Sequence, residues 1–204
     1  MKKFLALALV LCMCVCMSVT AFAAENEIDI SGGSGSTPVS LTSTSDGTTG
    51  GDPTGTAMSV TVPTALPMTM SQTGDVTTAD NCRITNNSYG AVRVKSVEIT
   101  AADGWSLTAF GDKTTLAREK VDSNKLGFAI RIGGGAQSAT DASNVNTQAL
   151  ISAPVAGCYM TGAGDATANS VSIDYAAIVT PLSSAVTAAT VANVVFIIEW
   201  DTAA

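Results

Sequence analysis

The sequence predicts an all-β protein, an antiparallel β-sandwich of about nine or ten strands that follows a signal peptide and a flexible linker rich in Gly, Ser and Thr. Short segments in which apolar and polar residues alternate recur along the chain, as expected of strands with one buried face. Gly, Asn, Asp and Ser separate these segments. No segment carries the sustained apolar stripe of an amphipathic helix.

The first element is a secretory signal peptide at residues 1–23. Lys2 and Lys3 precede an apolar run over residues 4–19, and small residues around Ala23 and Ala24 provide a cleavage site after either one. The cysteines within this run do not follow small residues, which disfavours the alternative of a lipid anchor. We therefore expect a secreted chain with no membrane span after cleavage.

The second element, residues 24–57, combines a strand-like arm with a linker. Ile28 and Ile30 alternate with acidic residues, which predicts a short strand. Residues 31–57 consist almost entirely of Gly, Ser, Thr, Pro and Asp and cannot bury enough apolar surface to order themselves. The arm is a candidate donor strand for the sheet edge of a neighbouring subunit. The alternatives are an arm that docks on its own domain or stays disordered.

The third element is the β-sandwich domain, residues 58–204. Its alternating apolar residues are Met58, Val60 and Val62; Leu66, Met68 and Met70; Val92 and Val94; Val97 and Ile99; Leu126, Phe128, Ile130 and Ile132; and Val171, Ile173 and Tyr175. The alternation changes phase between Val94 and Val97, which predicts a β-bulge near Lys95 and Ser96.

Three local predictions complete the domain. Residues 194–198 are apolar at odd-numbered and even-numbered positions alike, which predicts a strand covered on both faces in the middle of the domain. A three-residue loop, 102–104, with Gly104 at positive φ, predicts a hairpin that places Ile99 opposite Leu107. Residues 116–121 are a candidate for one or two helical turns, while residues 183–193 are ambiguous.

The composition excludes several classes of activity. The chain has no His, so neither a Ser-His-Asp triad nor a His-containing zinc site can form. Without Lys2 and Lys3 the basic residues fall from 10 to 8 against 17 acidic ones, a net charge of −9 that disfavours nucleic acid as a partner. We predict no catalytic residue, no cofactor and no metal site, and interpret the loop aspartates as turn formers rather than calcium ligands.

Three side chains that carry chemistry leave alternatives open. Cys82 and Cys158 are the cysteines that remain after cleavage, and they either form a disulfide or are two buried thiols. Glu199 follows the most hydrophobic segment of the chain. It is either exposed at the end of a strand or a buried acid beside an isopeptide crosslink.

A resemblance to known surface proteins rests on the Asn-rich turn at residues 84–88, the strand at 91–100 and the tripeptide Trp105-Ser106-Leu107. These features resemble the WxL-domain family of Gram-positive bacteria, which implies cell-surface association and peptidoglycan binding, with Trp105 and Leu107 as a wall-binding motif. The family's second Trp-x-Leu is replaced here by Trp200-Asp201-Thr202. More loosely, the chain is similar to camelysin and biofilm-fibre subunits, which implies assembly by strand exchange.

Together these observations predict a secreted, cell-surface-associated structural or adhesive protein without catalytic activity, which assembles through its N-terminal strand. Its expected partners are a cell-wall polymer, other surface proteins or a second copy of the chain. The alternative is a peptidoglycan- or carbohydrate-binding module. Trp105 and Trp200 are its candidate sugar-stacking residues if they do not belong to the core. An enzyme that relies on carboxylates alone is the third possibility.

Overall fold

Residues 56–202 are described by the computed structural model, and they fold almost entirely as β-strands. The predicted signal peptide, both arm isoleucines Ile28 and Ile30, and nearly all of the linker lie outside the described residues. The strands and one short helix, in chain order, are β1 (Val60–Thr61), β2 (Met68–Met70), β3 (Val76–Thr78), β4 (Arg83–Asn86), β5 (Val92–Ala101), β6 (Ser106–Thr108), α1 (Lys113–Leu116), β7 (Lys125–Ile132), β8 (Ser138–Ala139), β9 (Thr147–Ile151), β10 (Tyr159–Met160), β11 (Ser170–Val179) and β12 (Ala192–Trp200).

The strands form two larger sheets and a small hairpin. The six-stranded sheet has the order β1-β4-β11-β7-β6, with β8 also paired to β7. The four-stranded sheet has the order β10-β5-β12, with β9 also paired to β5, while β2 and β3 pair with each other. Every pair is antiparallel except β6 with β7, which is parallel. The prediction of an all-β fold with antiparallel sheets is confirmed, with this one exception.

One hydrophobic cluster joins the two larger sheets. Its fully buried side chains come from both of them, for example Ile130 and Ile173 from the six-stranded sheet and Val97 and Ile99 from the four-stranded one. The alternation that the sequence shows in β7 and β11 places Ile130 and Ile173 on the buried face. Strands β7 and β11 pair continuously, from Ile173 opposite Ile132 to Val179 opposite Leu126.

The predicted bulge in β5 is confirmed. Ile197 of β12 lies opposite Ser96, whereas the next residue, Ile198, lies opposite Val94. Lys95 is therefore the extra residue of the bulge, and Val94 and Val97 both point into the core.

The predicted hairpin is wrong. Gly104 does adopt a positive φ of 77°, and the Trp105 amide donates to the Ala102 carbonyl at 2.9 Å, so a tight turn is present. However, β6 leaves that turn to join the other sheet, where Leu107 lies opposite Leu126 of β7. The partners of Ile99 are Val194 and Gln148 instead. Sequence neighbours usually pair, but here the chain crosses between sheets and Leu107 becomes fully covered.

The predicted central position of residues 194–198 is also wrong. Strand β12 pairs only with β5 among the described strands and so lies at the edge of its sheet. Its outward side chains are exposed: the solvent-exposed fraction is 50% for Val195 and 48% for Ile197.

The helical candidates reduce to one turn. Helix α1 spans Lys113–Leu116, and the Asp112 side chain caps it by accepting from the Thr114 amide at 2.9 Å. Of the predicted segment 116–121, only Leu116 is helical, and residues 183–191 form neither helix nor strand.

Candidate interaction edge

The candidate site is the open edge of β12 together with the outward face of the four-stranded sheet beside it. Within residues 56–202 no strand pairs with the side of β12 that faces away from β5. An unpaired edge presents backbone donors and acceptors to any extended chain that approaches it. Proteins usually protect such an edge with Lys, Pro or a bulge on the edge strand itself. Residues 193–198 contain neither charge nor proline, and the bulge lies in β5.

Two hydrogen bonds fix which backbone groups of β12 face the open side. The Asp201 amide donates to the Ala91 carbonyl at 3.0 Å, and the Val191 carbonyl accepts from the Ala102 amide at 3.0 Å. Odd-numbered residues therefore point their backbone groups towards β5. Because consecutive residues of a strand alternate, the amides and carbonyls of Val194, Phe196 and Ile198 point to the open edge.

The two faces of β12 differ in how well they are covered. Val194, Phe196 and Ile198 point inward and pack against the hydrophobic cluster, but each remains only half-buried because no neighbouring strand covers it on the open side. Val195 and Ile197 point outward, opposite Glu98 and Ser96 of β5. The edge therefore exposes apolar surface on both faces.

A charged cluster borders this edge at the C-terminal end of β12. The Arg93 Nε donates to Glu199 Oε1 at 2.8 Å, and the Lys95 Nζ lies 3.0 Å from Glu199 Oε2. A longer contact of 3.4 Å joins Arg93 to Asp201. The hydrogen bond from Lys95, followed by the one from Arg93, holds the pKa of Glu199 below its ordinary value. The hydrogen bond to Glu199 is also the main cause that raises the pKa of Arg93.

This geometry places Glu199 at a partly exposed strand end. Its side chain is 28% exposed and has two cationic partners, so it is not an isolated buried acid. This is the first of the two alternatives that the sequence left open for Glu199.

The predicted wall-binding motif lies largely inside the fold. Leu107 is only 2% exposed, and Trp105 is half-buried against the hydrophobic cluster. Trp200 also packs against that cluster, beside Gly90, where an added Cβ would lie 3.1 Å from the indole ring. The two tryptophans thus contact the core, and Leu107 has almost no solvent-exposed surface that a polymer could contact.

Cys82 and Cys158 are both free cysteines in the structure. Cys158 is fully buried, whereas Cys82 is half-buried.

The sequence did not identify two exposed tyrosines as candidate binding residues. Tyr89 is 91% exposed in the loop between β4 and β5, and Tyr159 of β10 is 47% exposed opposite Arg93. Tyr89 lies outside any alternating segment, and Tyr159 lies in a strand of two residues, so neither position has a periodic pattern that distinguishes a surface aromatic from a buried one.

Among residues 56–202 no three acidic or cysteine side chains come together in a way that could hold a metal ion. Over the same residues no helix is long and apolar enough to cross a membrane. No family model, curated protein or solved structure matches this chain.

Proposed function

We propose that this chain is a secreted, non-catalytic structural or adhesive protein of the cell surface, and that its domain, a β-sandwich, associates with partners through a sheet edge. The observation that carries the proposal is the unprotected edge of β12, with Val195 and Ile197 exposed on it. Edges of this kind recognise partners by strand addition, in which backbone hydrogen bonds supply affinity and alternate side chains supply specificity.

The sequence supports the location. Residues 1–23 have the charged start, apolar run and small-residue cleavage site of an export signal. Residues 31–57 have the composition of a flexible spacer, which would let the domain extend from a surface. The arm with Ile28 and Ile30 is the strand that the sequence offers for donation to a neighbouring subunit.

Fractionation of producing cells tests this function. We expect the chain in the cell-wall or surface fraction, with electron microscopy of that fraction showing assemblies that contain it. Val195→Lys combined with Ile197→Lys should reduce the assemblies while leaving export unchanged. A chain found only in the cytoplasm, or only as a dispersed monomer in the medium, would contradict the proposal.

A peptidoglycan- or carbohydrate-binding module remains the second candidate because Tyr89 and Tyr159 are exposed aromatics of the kind that stack on sugar rings. Co-sedimentation with purified cell walls tests it. Binding that falls with Tyr89→Ala and Tyr159→Ala, but not with Val121→Lys, would favour the module. Failure to sediment at physiological salt would eliminate it.

A further inference from the structure

We propose that the occupant of the β12 edge is the β12 strand of a second copy of this chain. The two strands pair antiparallel with Phe196 opposite Phe196, so that the two four-stranded sheets become one continuous sheet. This inference rests on the proposed function, because it takes that function's edge as the contact surface and names its partner.

The backbone of β12 permits this pairing. Phe196 directs its amide and carbonyl to the open edge, as do Val194 and Ile198. With Phe196 at the centre, Val194 lies opposite Ile198 of the second copy. Each of these opposed pairs can then exchange two hydrogen bonds, as in any antiparallel ladder. No group that already bonds to β5 has to be released.

The side chains of β12 are self-complementary in the same register. The sequence Asn193-Val-Val-Phe-Ile-Ile-Glu199 has branched apolar residues on both sides of Phe196 and a polar residue at each end. Val195 then lies beside Ile197 of the second copy, and Asn193 lies beside Glu199, whose carboxylate can accept from the amide. Cross-strand pairs of these kinds stabilise sheets.

Neighbouring registers fit less well. Moving the centre to Ile197 places Val195 opposite Glu199, and moving it to Val195 places Asn193 opposite Ile197. Both arrangements pair an apolar residue with a polar one. The backbone permits the register centred on Phe196, and the side chains favour it over its neighbours.

Coverage and charge favour a second copy over the N-terminal arm. The inward-facing Phe196, half-buried in one copy, would gain the Phe196 side chain of the other as a neighbour. The arm would instead place three acidic side chains, Glu25, Glu27 and Asp29, along the edge within six residues, whereas β12 contains a single acid, Glu199, at the end of its apolar run. Pairing between two β12 strands places no like charges directly opposite each other.

Charge substitution on the outward face is the first test, with the mass of the purified full-length exported chain measured by light scattering. We expect a dimer for the natural chain. Val195→Lys combined with Ile197→Lys should weaken the dimer at least about a hundredfold, because lysines would then face lysines. Val121→Lys combined with Val145→Lys is the matched control, because these valines are equally exposed away from the edge and should leave the dimer intact. Circular dichroism confirms that both variants fold.

Mixing charge variants tests the pairing itself. Copies with Val195→Glu and Ile197→Glu should form heterodimers with copies that carry lysine at both positions, although neither variant dimerises alone. Absence of these heterodimers would overturn the proposed pairing, as would a natural chain that stays monomeric at its solubility limit.

Engineered thiols test the register. Residues 195 and 197 of opposite copies form a non-hydrogen-bonded pair, with Cα atoms about 4.5 Å apart. A mixture of Val195→Cys and Ile197→Cys copies should crosslink on mild oxidation, whereas neither variant should crosslink alone, and mass spectrometry of the linked peptides excludes links through Cys82. A Val195→Cys copy that crosslinks with itself would overturn the register.

Substitution in the arm distinguishes the two occupants. Ile28→Ser combined with Ile30→Ser should leave the dimer unchanged if β12 pairs with β12, and loss of the dimer would instead make the arm the occupant and overturn the inference. Cell fractionation provides an independent readout. A monomeric chain that still resides at the cell surface contradicts only the dimer, whereas a dimer found only in the cytoplasm contradicts only the proposed function.

Discussion

Arg93 and Glu199 lie directly opposite each other on β5 and β12, and the guanidinium Nε donates to the carboxylate at 2.8 Å on the outward face of the sheet. The pair joins the edge strand to its only strand partner within residues 56–202 at the end where β12 stops. Lys95, the extra residue of the bulge, approaches the other oxygen of the same carboxylate. One acid thus holds two cations that the bulge directs to the same face.

The Glu199 cluster makes the stability of the domain dependent on pH. The folded pKa of Glu199 is lowered, so the cluster stabilises the fold above the ordinary carboxylate range and loses that contribution as the pH falls through the folded pKa. Glu199→Gln should lower the unfolding midpoint at neutral pH and reduce its decline on acidification. Thermal unfolding monitored by circular dichroism between neutral and acidic pH measures this. Glu98→Gln, on the same face but without an ion pair among the described residues, is the control, and an equal change in both variants would contradict the prediction.

Asn86 should be among the most sensitive polar positions. It is fully buried, its side-chain amide donates to the carbonyls of Gly90 and Thr161 at 2.8 Å each, and its oxygen accepts from the Ser88 amide. Asn86→Ala leaves these backbone groups without their partner, which should cost about 2 to 4 kcal/mol.

Urea unfolding measures the effect of Asn86→Ala. The neighbouring Asn87 is exposed, and its side chain bonds only to the Thr61 hydroxyl among the described residues, so Asn87→Ala should cost less than about 1 kcal/mol. Similar losses at the two positions would show that burial at Asn86 does not govern its contribution.

Tyr175 links the β2–β3 hairpin to β11. Its hydroxyl donates to the Pro67 carbonyl and accepts from the Ala79 amide, and burial raises its pKa. Tyr175→Phe keeps the ring in the core and removes only the hydroxyl, so we expect a loss of about 1 kcal/mol in the free energy of unfolding. Tyr89→Phe, at an exposed position, should change stability by less than about 0.5 kcal/mol in the same measurement. No difference between the two variants would contradict the assigned role of the hydroxyl.

The two free cysteines should differ in their reactivity towards a thiol reagent. Cys82 is half-buried and should react in the native protein, whereas Cys158 is fully buried and should react only after unfolding. Mass spectrometry of the labelled protein locates each modification. A chain that labels at neither cysteine after unfolding, and whose mass is lower by two hydrogens, would contain a Cys82–Cys158 disulfide instead.

The sequence predicted those parts of the fold that depend on local periodicity. The alternation from Leu126 to Ile132 identified β7 because every second residue faces the core, and the phase change at Lys95 identified the bulge for the same reason. The β5–β6 hairpin failed because pairing is a non-local choice. A tight turn at Gly104 is compatible both with a hairpin and with a crossing to the other sheet, and burial of Leu107 beside Leu126 requires the crossing.

The candidate site was harder to predict. A run that is apolar at both parities is typical of a strand in the middle of a sheet, but the same composition suits an edge strand that is completed by another chain. Only the strand order in the sheet distinguishes these cases. That order depends on the pairing of β12 with a segment about a hundred residues earlier, and the apolar periodicity of one segment does not indicate which distant segment it pairs with. The exposure of Val195 and Ile197 therefore became visible only in the structure.

The bulge at Lys95 also determines the sign of the surface along the start of β5. If β5 kept Lys95 but alternated regularly back from the buried Val97, with no bulge, Arg93 and Lys95 would both point into the core, and Val92 and Val94 would face water. The bulge exchanges these two sets, because Lys95 has no partner of its own on β12. A chain that kept Lys95 but lacked the bulge would have to bury a guanidinium or break the pairing of β5 with β12, whereas a chain without Lys95 would keep charge outside and valine inside by regular alternation. The bulge therefore admits a second cation beside Glu199 while the two faces of β5 stay unchanged.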